Sequence, residues 1–460
     1  MYNDVTIVDI LFVAIFVLFP VFIALLLKKA GLPLNRIEIP AFVIVAMFVF
    51  SYIGILPLYF GWDEYRYAIG VQDKDLILKI YFFSVISITG IATGSIFAKN
   101  IVQGSYSAIV YGFRPLSKKE TSAILILLLF VFTILLLYLS KTPKVALFIA
   151  IFEGEMHDSK IIRSMMSNDF PGKYHWYSVF MHDVANVITF IFFAEWLRNK
   201  RKTVLILFFI AFVLSAFSAL MTAEKAPFIW LLIGLFLVYT IVKKSGVVAI
   251  KHLLIVFILV FFIITLFYMF IMGYMDVDKA ISSVVSRAFA GSISPAYFYI
   301  EFIPKYQDFL WGRSFTNPGG VLPFEPYRLT VEVANWKFPH LAKQGFVSSS
   351  PAVYWAEMYA NFGTAGIFAA PVIVGFALYM ISFFINKLEN SPIKVGLLVW
   401  LLIHYKGLSE RGISNFFPDF YLLIVLTVVF FIIAISNSAT IRLRTKKPRK
   451  LLSSPAASQE

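Results

Sequence analysis

Runs of about 20 apolar residues recur from one end of this chain almost to the other, each long enough to cross a bilayer as a helix. Lipid offers no hydrogen bonds, so a backbone placed there must pair its own N–H and C=O groups within a helix or around a closed barrel. The runs are about twice the length of a barrel strand. The expected fold is therefore all-α, a polytopic membrane protein. Spans are read at about 5–27, 40–60, 80–98, 121–140, 176–197, 203–222, 227–242, 252–274, 361–385, 394–405 and 418–437, about eleven in all, the tenth being short. Soluble domains carry about a quarter charged residues; the 14% here, with 60% hydrophobic residues, agrees with a membrane class.

The first run, from Val5 to Leu27, follows Asp4 rather than a basic stretch, so it reads as a span and not as a cleavable signal. Cysteine is absent, which excludes thiolate metal sites, thiol nucleophiles and disulfides. The net charge of +14 is spread as short clusters between apolar runs rather than gathered in one patch. That is the pattern of membrane topology, and it argues against a nucleic-acid partner.

Alternate loops differ in their basic content. One face collects Lys28, Lys29 and Arg36; Lys99, Arg114, Lys118 and Lys119; Arg198, Lys200, Arg201 and Lys202; Lys243, Lys244 and Lys251; and Lys387 and Lys394. The tail adds Arg442, Arg444, Lys446, Lys447, Arg449 and Lys450. Few acids accompany them, so this face is expected to be cytoplasmic. The N-terminus is then outside and the C-terminus inside. Residues 1–440 form a single helical membrane domain with 275–350 as a large extracytoplasmic loop, and 441–460 form a basic cytoplasmic tail expected to be disordered. Neither GxxxxGK[ST] nor GxGxxG occurs on the inner face. No internal repeat of the inverted-transporter kind is visible.

Polar residues at the outer edges of the spans are the functional candidates, since charge in or near lipid is costly. His182, Asp183 and Asn186 lie in the fifth span, where interhelical packing is the alternative role. Lys225 sits in a tight outer turn at the height of lipid phosphates, as a point charge. Arg287 belongs to an amphipathic stretch, and Arg313 to an irregular segment rich in Pro and Gly. Trp311, Tyr327 and Trp336 offer flat faces that can stack on sugar rings, although interfacial aromatics are common without any ligand. Ser350 and Pro351 look like a helix start, and the helix running on to about Phe384 would be roughly 50 Å long, so it either stands above the membrane or bends at Gly363 and Gly366. Tyr354, Glu357 and Asn361 share one face of it. The last outer turn packs His404, Lys406, Glu410 and Arg411 together.

The sequence Glu357-x-Tyr359-x-Asn361-Phe362-Gly363-x-x-Gly366, after a large outer loop in a polytopic chain, resembles the Wzy-type oligosaccharide repeat-unit polymerases, relatives of the O-antigen polymerases and ligases. Lys225 stands where that family tends to have a basic residue after a span end rich in Ser and Thr, Arg being commoner there. The ligase branch carries a His upstream of the GxxG; the corresponding residue here is Ala352, which favours polymerase over ligase. Arg-rich outer loops, implied by the resemblance, match Arg163, Arg287, Arg313 and Arg411.

The resemblance implies an oligosaccharide carried on polyprenyl pyrophosphate at the outer face of the bacterial cytoplasmic (inner) membrane. A hydroxyl of one repeat unit attacks the anomeric carbon of the growing chain, and polyprenyl pyrophosphate leaves. The implied cation cluster is Lys225, Arg163, Arg287, Arg313 and Arg411, with Tyr354, Tyr359 and Asn361 binding substrate. Glu357 is the expected base, with Asp183 and His404 behind it. The donor is already activated, so no cofactor, nucleotide or metal is expected. Expected partners are the lipid-linked oligosaccharide, membrane lipid and a chain-length-determining membrane co-polymerase. Two alternatives are a lipid-linked oligosaccharide flippase or other transporter, and a glycosyltransferase using polyprenyl-phosphate sugars, for which Asp63-Glu64 could supply an acidic pair.

Overall fold

A computed structural model describes residues 6–102, 114–153, 156–167, 170–270, 276–317, 320–321, 323–343, 348–416 and 419–435. The expected tail 441–460 lies outside them. Among the described residues the fold is helical, apart from one isolated bridge between Arg36 and Val247. The long helices are α1 (Ile7–Lys29), α2 (Ile39–Tyr59, with a π turn at Phe48–Tyr52), α3 (Lys74–Val102), α4 (Lys118–Ser140), α5 (Tyr174–Asn199, with a π turn at Val179–Val184), α6 (Lys202–Leu220), α7 (Lys225–Lys244) and α8 (Ile250–Phe270). Two shorter helices follow, α9 (Val277–Ala288) and α10 (Ala290–Phe302). The last three are α11 (Tyr354–Lys387), α12 (Pro392–Lys406) and α13 (Phe420–Ile435).

Among the described residues, 10 helices are long and apolar enough to cross a membrane: α1 to α8, α11, and the stretch Ile413–Ile435 that contains α13. The short tenth run of the sequence is α12. Its 15 residues would extend only about 22 Å at 1.5 Å each, less than a hydrocarbon core. It is buried nearly all round, as a helix enclosed by others must be.

Local chemistry fixes the ends. Thr6 and Asp9 close a capping box on α1, and Ser117 and Glu120 close one on α4. Asp9, although inside an apolar run, accepts hydrogen bonds from Thr6 and from the Tyr59 hydroxyl at 2.8 Å. Arg114 forks onto both oxygens of Glu120 at 2.6 Å and reaches Glu389 at 2.8 Å. Outside the spans, the Arg114 guanidinium is held well above its ordinary pKa, chiefly by its bond to Glu120.

At one end of the bundle, loop meets loop. Ile37 N donates to Gly246 O, Val248 N to Asn35 O, Lys99 Nζ to Ala30 O, and Arg114 N to Asn390 O. At the other end, the Ser286 hydroxyl donates to Asp63 at 2.6 Å, and Arg163 meets Glu224. Each end thus joins loops that share a charge character in the sequence.

The centre of the bundle is the pair α3 and α11, which touch through small residues. A Cβ on Gly94 would fall 2.1 Å from Val372 O, and one on Gly375 would fall 2.2 Å from Ile91 O. Ser95 donates to Gly375 O at 3.0 Å across the same seam. Lipid gives helices little apolar reason to associate, so backbone contact of this kind carries the packing. Gly94→Leu is expected to force α3 from α11 and cost on the order of 1–3 kcal/mol or more. Ala369→Leu, on the exposed side of α11, should be tolerated. Thermal unfolding followed by size exclusion in detergent distinguishes the two.

Candidate functional site

The site begins with a break in a helix. Gly363 has φ 61° and ψ −146°, a conformation closed to residues with a side chain, and the Phe309 ring fills the space where a Cβ would stand, 3.2 Å away. A broken helix leaves carbonyls without their usual amide partners. Those of Ala360 and Asn361 accept instead from Leu310 N and Trp311 N, both at 3.0 Å. The large loop is thereby sewn to α11 just where α11 bends.

Side chains complete the seam. Asn361 accepts from Gly312 N at 2.8 Å and donates to Ser314 Oγ at 2.7 Å and to Glu357 O at 2.8 Å. Ser314 then donates to Glu357 Oε1 at 2.7 Å, and Ser414 N donates to Oε2 at 3.1 Å. A Cβ on Gly412 would fall 2.3 Å from Oε2, so only glycine lets the 407–416 turn close over this carboxylate. Glu357 therefore ties together α11, the large loop and the last turn.

This arrangement revises several expectations. Glu357 is 5% exposed with a hydrogen bond on each oxygen. Tyr354 turns away from it to meet Ser87 Oγ on α3 at 2.6 Å, and Tyr359 accepts from Lys79 Nζ at 3.3 Å. Tyr354, Tyr359 and Asn361 are buried. Ser350 does not cap α11: its N donates to Thr330 O, its C=O accepts from Tyr299, and the helix starts at Tyr354. The bend at Gly363 is present.

A second element is a set of cations on two sides of residues 50–54 of α2. Lys225 Nζ lies 3.2 Å from the centre of the Tyr268 ring, and Arg287 on α9 is within electrostatic reach of both Lys225 and Arg66. Lys406 Nζ pairs with Glu410 and lies over Trp230 at 4.0 Å and Phe50 at 5.4 Å. Next to Phe50, Ser51 donates to Ser409 O at 2.7 Å; at Gly54, a Cβ would fall 2.3 Å from Phe289 O. One turn of α2 thus separates the end of α9 from the last turn. Arg287 and Arg411 are exposed. Arg66 Nε is buried without a hydrogen-bond partner. Burial lowers the pKa of the Arg66 guanidinium, Arg287 adds to that, and Asp63 opposes it. Arg163 is drawn to Glu224 at 3.6 Å, and Arg313 extends from the large loop over Tyr327 at 5.8 Å.

A third element is a polar string beneath the last turn. Trp400 Nε1 donates to Asp183 at 2.9 Å, the Trp400 ring stacks on His404 at 4.8 Å, and His404 Nε2 lies 3.4 Å from Asp419 Oδ2. Arg411 acts electrostatically on His404, Asp183 and Lys406. Asp183 and His404, far apart in the chain, therefore share one corner with Arg411.

Sequence reasoning missed Ser314, Tyr268, Arg66 and Asp419. Asp419 carried a usable signal, an acid just before an apolar run, where it accepts from the N–H groups of Tyr421 and Leu422. The others had none, because their roles come from distant segments. Asp63, half of the candidate acidic pair, accepts from Arg66 N and from Ser286, which commits it to structure.

Comparison with known protein families, with curated proteins and with solved structures returned no match.

Asn361→Ala leaves Gly312 N without its acceptor and should loosen the loop by about 1–3 kcal/mol. Limited proteolysis of the purified protein checks it: cleavage within 305–343 should be faster than in the wild type, with α-helical content unchanged.

Proposed function

We propose that this chain is a glycosyltransferase of the bacterial cytoplasmic membrane that polymerises oligosaccharide repeat units carried on polyprenyl pyrophosphate. The observation that carries the reading is the set of cations on either side of one turn of α2, with Lys225, Arg66 and Arg287 toward α9 and Lys406 and Arg411 toward the last turn, beside a buried polar string ending in His404. A diphosphate is the kind of leaving group such a set would hold, with preorganised charge as the main contribution to rate. In this reading the end bearing Asp63, Arg287, Glu357 and Arg411 faces outward. The basic loops at the opposite end, which bond to one another, support that orientation.

The acceptor hydroxyl attacks the anomeric carbon, the bond from that carbon to the pyrophosphate oxygen breaks, and polyprenyl pyrophosphate departs. The hydroxyl proton passes to a base. His404 takes this role in the reading rather than Glu357, because Asp419 Oδ2 lies 3.4 Å from its Nε2 and would face the cation that forms. Both oxygens of Glu357 already accept hydrogen bonds that hold the site together. The polymerase and transporter alternatives separate by product: a flippase would leave lipid-linked units on the inner leaflet.

Deletion in the host should abolish the surface-polysaccharide ladder and leave single repeats on the lipid anchor at the outer leaflet. Restoring the wild-type gene should bring the ladder back. Retention of the ladder in the deletion strain, or accumulation on the inner leaflet, rules the reading out. Among complementing variants with matched protein levels, Lys225→Ala combined with Arg287→Ala, and His404→Ala, should each lower polymer by about tenfold or more, equivalent to at least ~1.4 kcal/mol of barrier. Glu357→Gln should retain polymer at reduced yield, since an amide oxygen can still accept from Ser314. A ladder lost completely in Glu357→Gln but kept in His404→Ala would return the base assignment to Glu357.

A further inference from the structure

Trp311 is the least economical residue in the large loop, and every feature of its surroundings serves to hold it out. Its φ is 50°, a left-handed conformation that bulky side chains rarely adopt, and Gly312 follows at φ 92°. The indole is 74% exposed. Strain of this kind persists only where neighbours over-determine it, and it concentrates at binding sites. Here the neighbours are explicit. Leu310 N, Trp311 N and Gly312 N donate in succession to Ala360 O, Asn361 O and Asn361 Oδ1. The Phe362 ring meets the indole edge-on, at 6.4 Å and 71°, so the ring is braced from the side.

A residue needed only for packing would be buried, and one needed only as a turn would be glycine or asparagine. A flat aromatic face that is rigid and exposed binds at little cost in conformational entropy. Resting on the glycan-polymerising reading above, we propose that Trp311 is a stacking platform for a sugar ring of the substrate oligosaccharide, with Asn361 as its positioning residue. The Asn361–Ser314–Glu357 chain connects this platform to the 412–414 turn beside Arg411. Recognition of the sugar and retention of the diphosphate are thereby built on one hydrogen-bonded frame. Arg313, two residues on and exposed, gives the platform a cationic flank.

The test uses full-length protein reconstituted in vesicles, with the lipid-linked repeat units extracted from the host as substrate. The oligosaccharide released from them by mild acid is the binding probe. Trp311→Phe keeps an aromatic face, Trp311→Leu keeps only apolar bulk, and Trp311→Ala keeps neither. Trp311→Phe is expected to bind the released oligosaccharide within about twofold of wild type. Trp311→Leu and Trp311→Ala should bind about three- to tenfold more weakly, the scale of one aromatic contact. The lipid-linked substrate needed for half-maximal polymerisation should rise in parallel, with the maximal rate little changed. Equal behaviour of the Leu and Phe variants would make Trp311 an apolar anchor in the bilayer interface and overturn the platform, as would wild-type binding by Trp311→Ala. A wild-type protein that neither polymerises nor binds removes the glycan reading itself and the platform with it. Polymerisation by the wild type with no difference among the variants removes the platform alone.

Discussion

The break at Gly363 is the feature on which the rest of this structure depends. A continuous helix would satisfy the carbonyls of Ala360 and Asn361 internally and leave the large loop nothing to grip. Once the backbone turns at Gly363, those carbonyls face Leu310 and Trp311, and the buried Asn361 side chain takes Gly312 and Ser314. Non-helical backbone this close to a span is tolerable only where protein covers its polar groups. The loop provides that cover, and in return is fixed in place. Glu357 extends the same seam to the 407–416 turn, so three segments distant in the chain become one frame.

The cations are held in two different ways, with different electrostatic results. Lys406 and Arg163 face Glu410 and Glu224, so their fields are largely cancelled nearby. Lys225, among the described residues, is held by the Tyr268 ring. An aromatic face attracts a cation through its quadrupole without neutralising it. Arg287 and Arg411 stay exposed. The end of the bundle near residues 50–54 of α2 thus gathers cations of both kinds, some paired with carboxylates and some, among the described residues, not. The unpartnered Arg66 Nε belongs to the same region.

Much of the helical frame was legible because apolar run length is a direct report of bilayer thickness. Ten of the expected spans correspond to helices long and apolar enough to cross, displaced by a few residues at their ends. The short run around 394–405 became α12, which runs from the Asn390 end of the bundle to the last turn and is buried nearly throughout, because enclosure by other helices and enclosure by lipid demand the same apolar residues. The bend at Gly363 was legible from the glycines and from a helix too long for the membrane. What could not be read was which polar side chains were already engaged. Glu357, Tyr354 and Asn361 sit at helical spacing, yet Tyr354 points to Ser87, while Glu357 and Asn361 meet Ser314 on a loop more than forty residues away. Periodicity reports a face; it carries no information about the partner opposite that face.

The same distinction bears on which residue can move a proton. A carboxylate whose two oxygens both accept protein hydrogen bonds, and against which a glycine is pressed, gives up part of its support if it turns toward a substrate. The His404 imidazole stacks on Trp400, and its Nε2, 3.4 Å from Asp419, makes no hydrogen bond to the frame among the described residues. In the proposed reading this ring takes the proton beside Asp419, whose charge faces the cation that forms. The division of labour that follows is physical. Glu357 keeps the loop, the helix and the last turn in register, while the His404 ring, stacked on Trp400 with Asp419 and Arg411 nearby, takes no part in that seam.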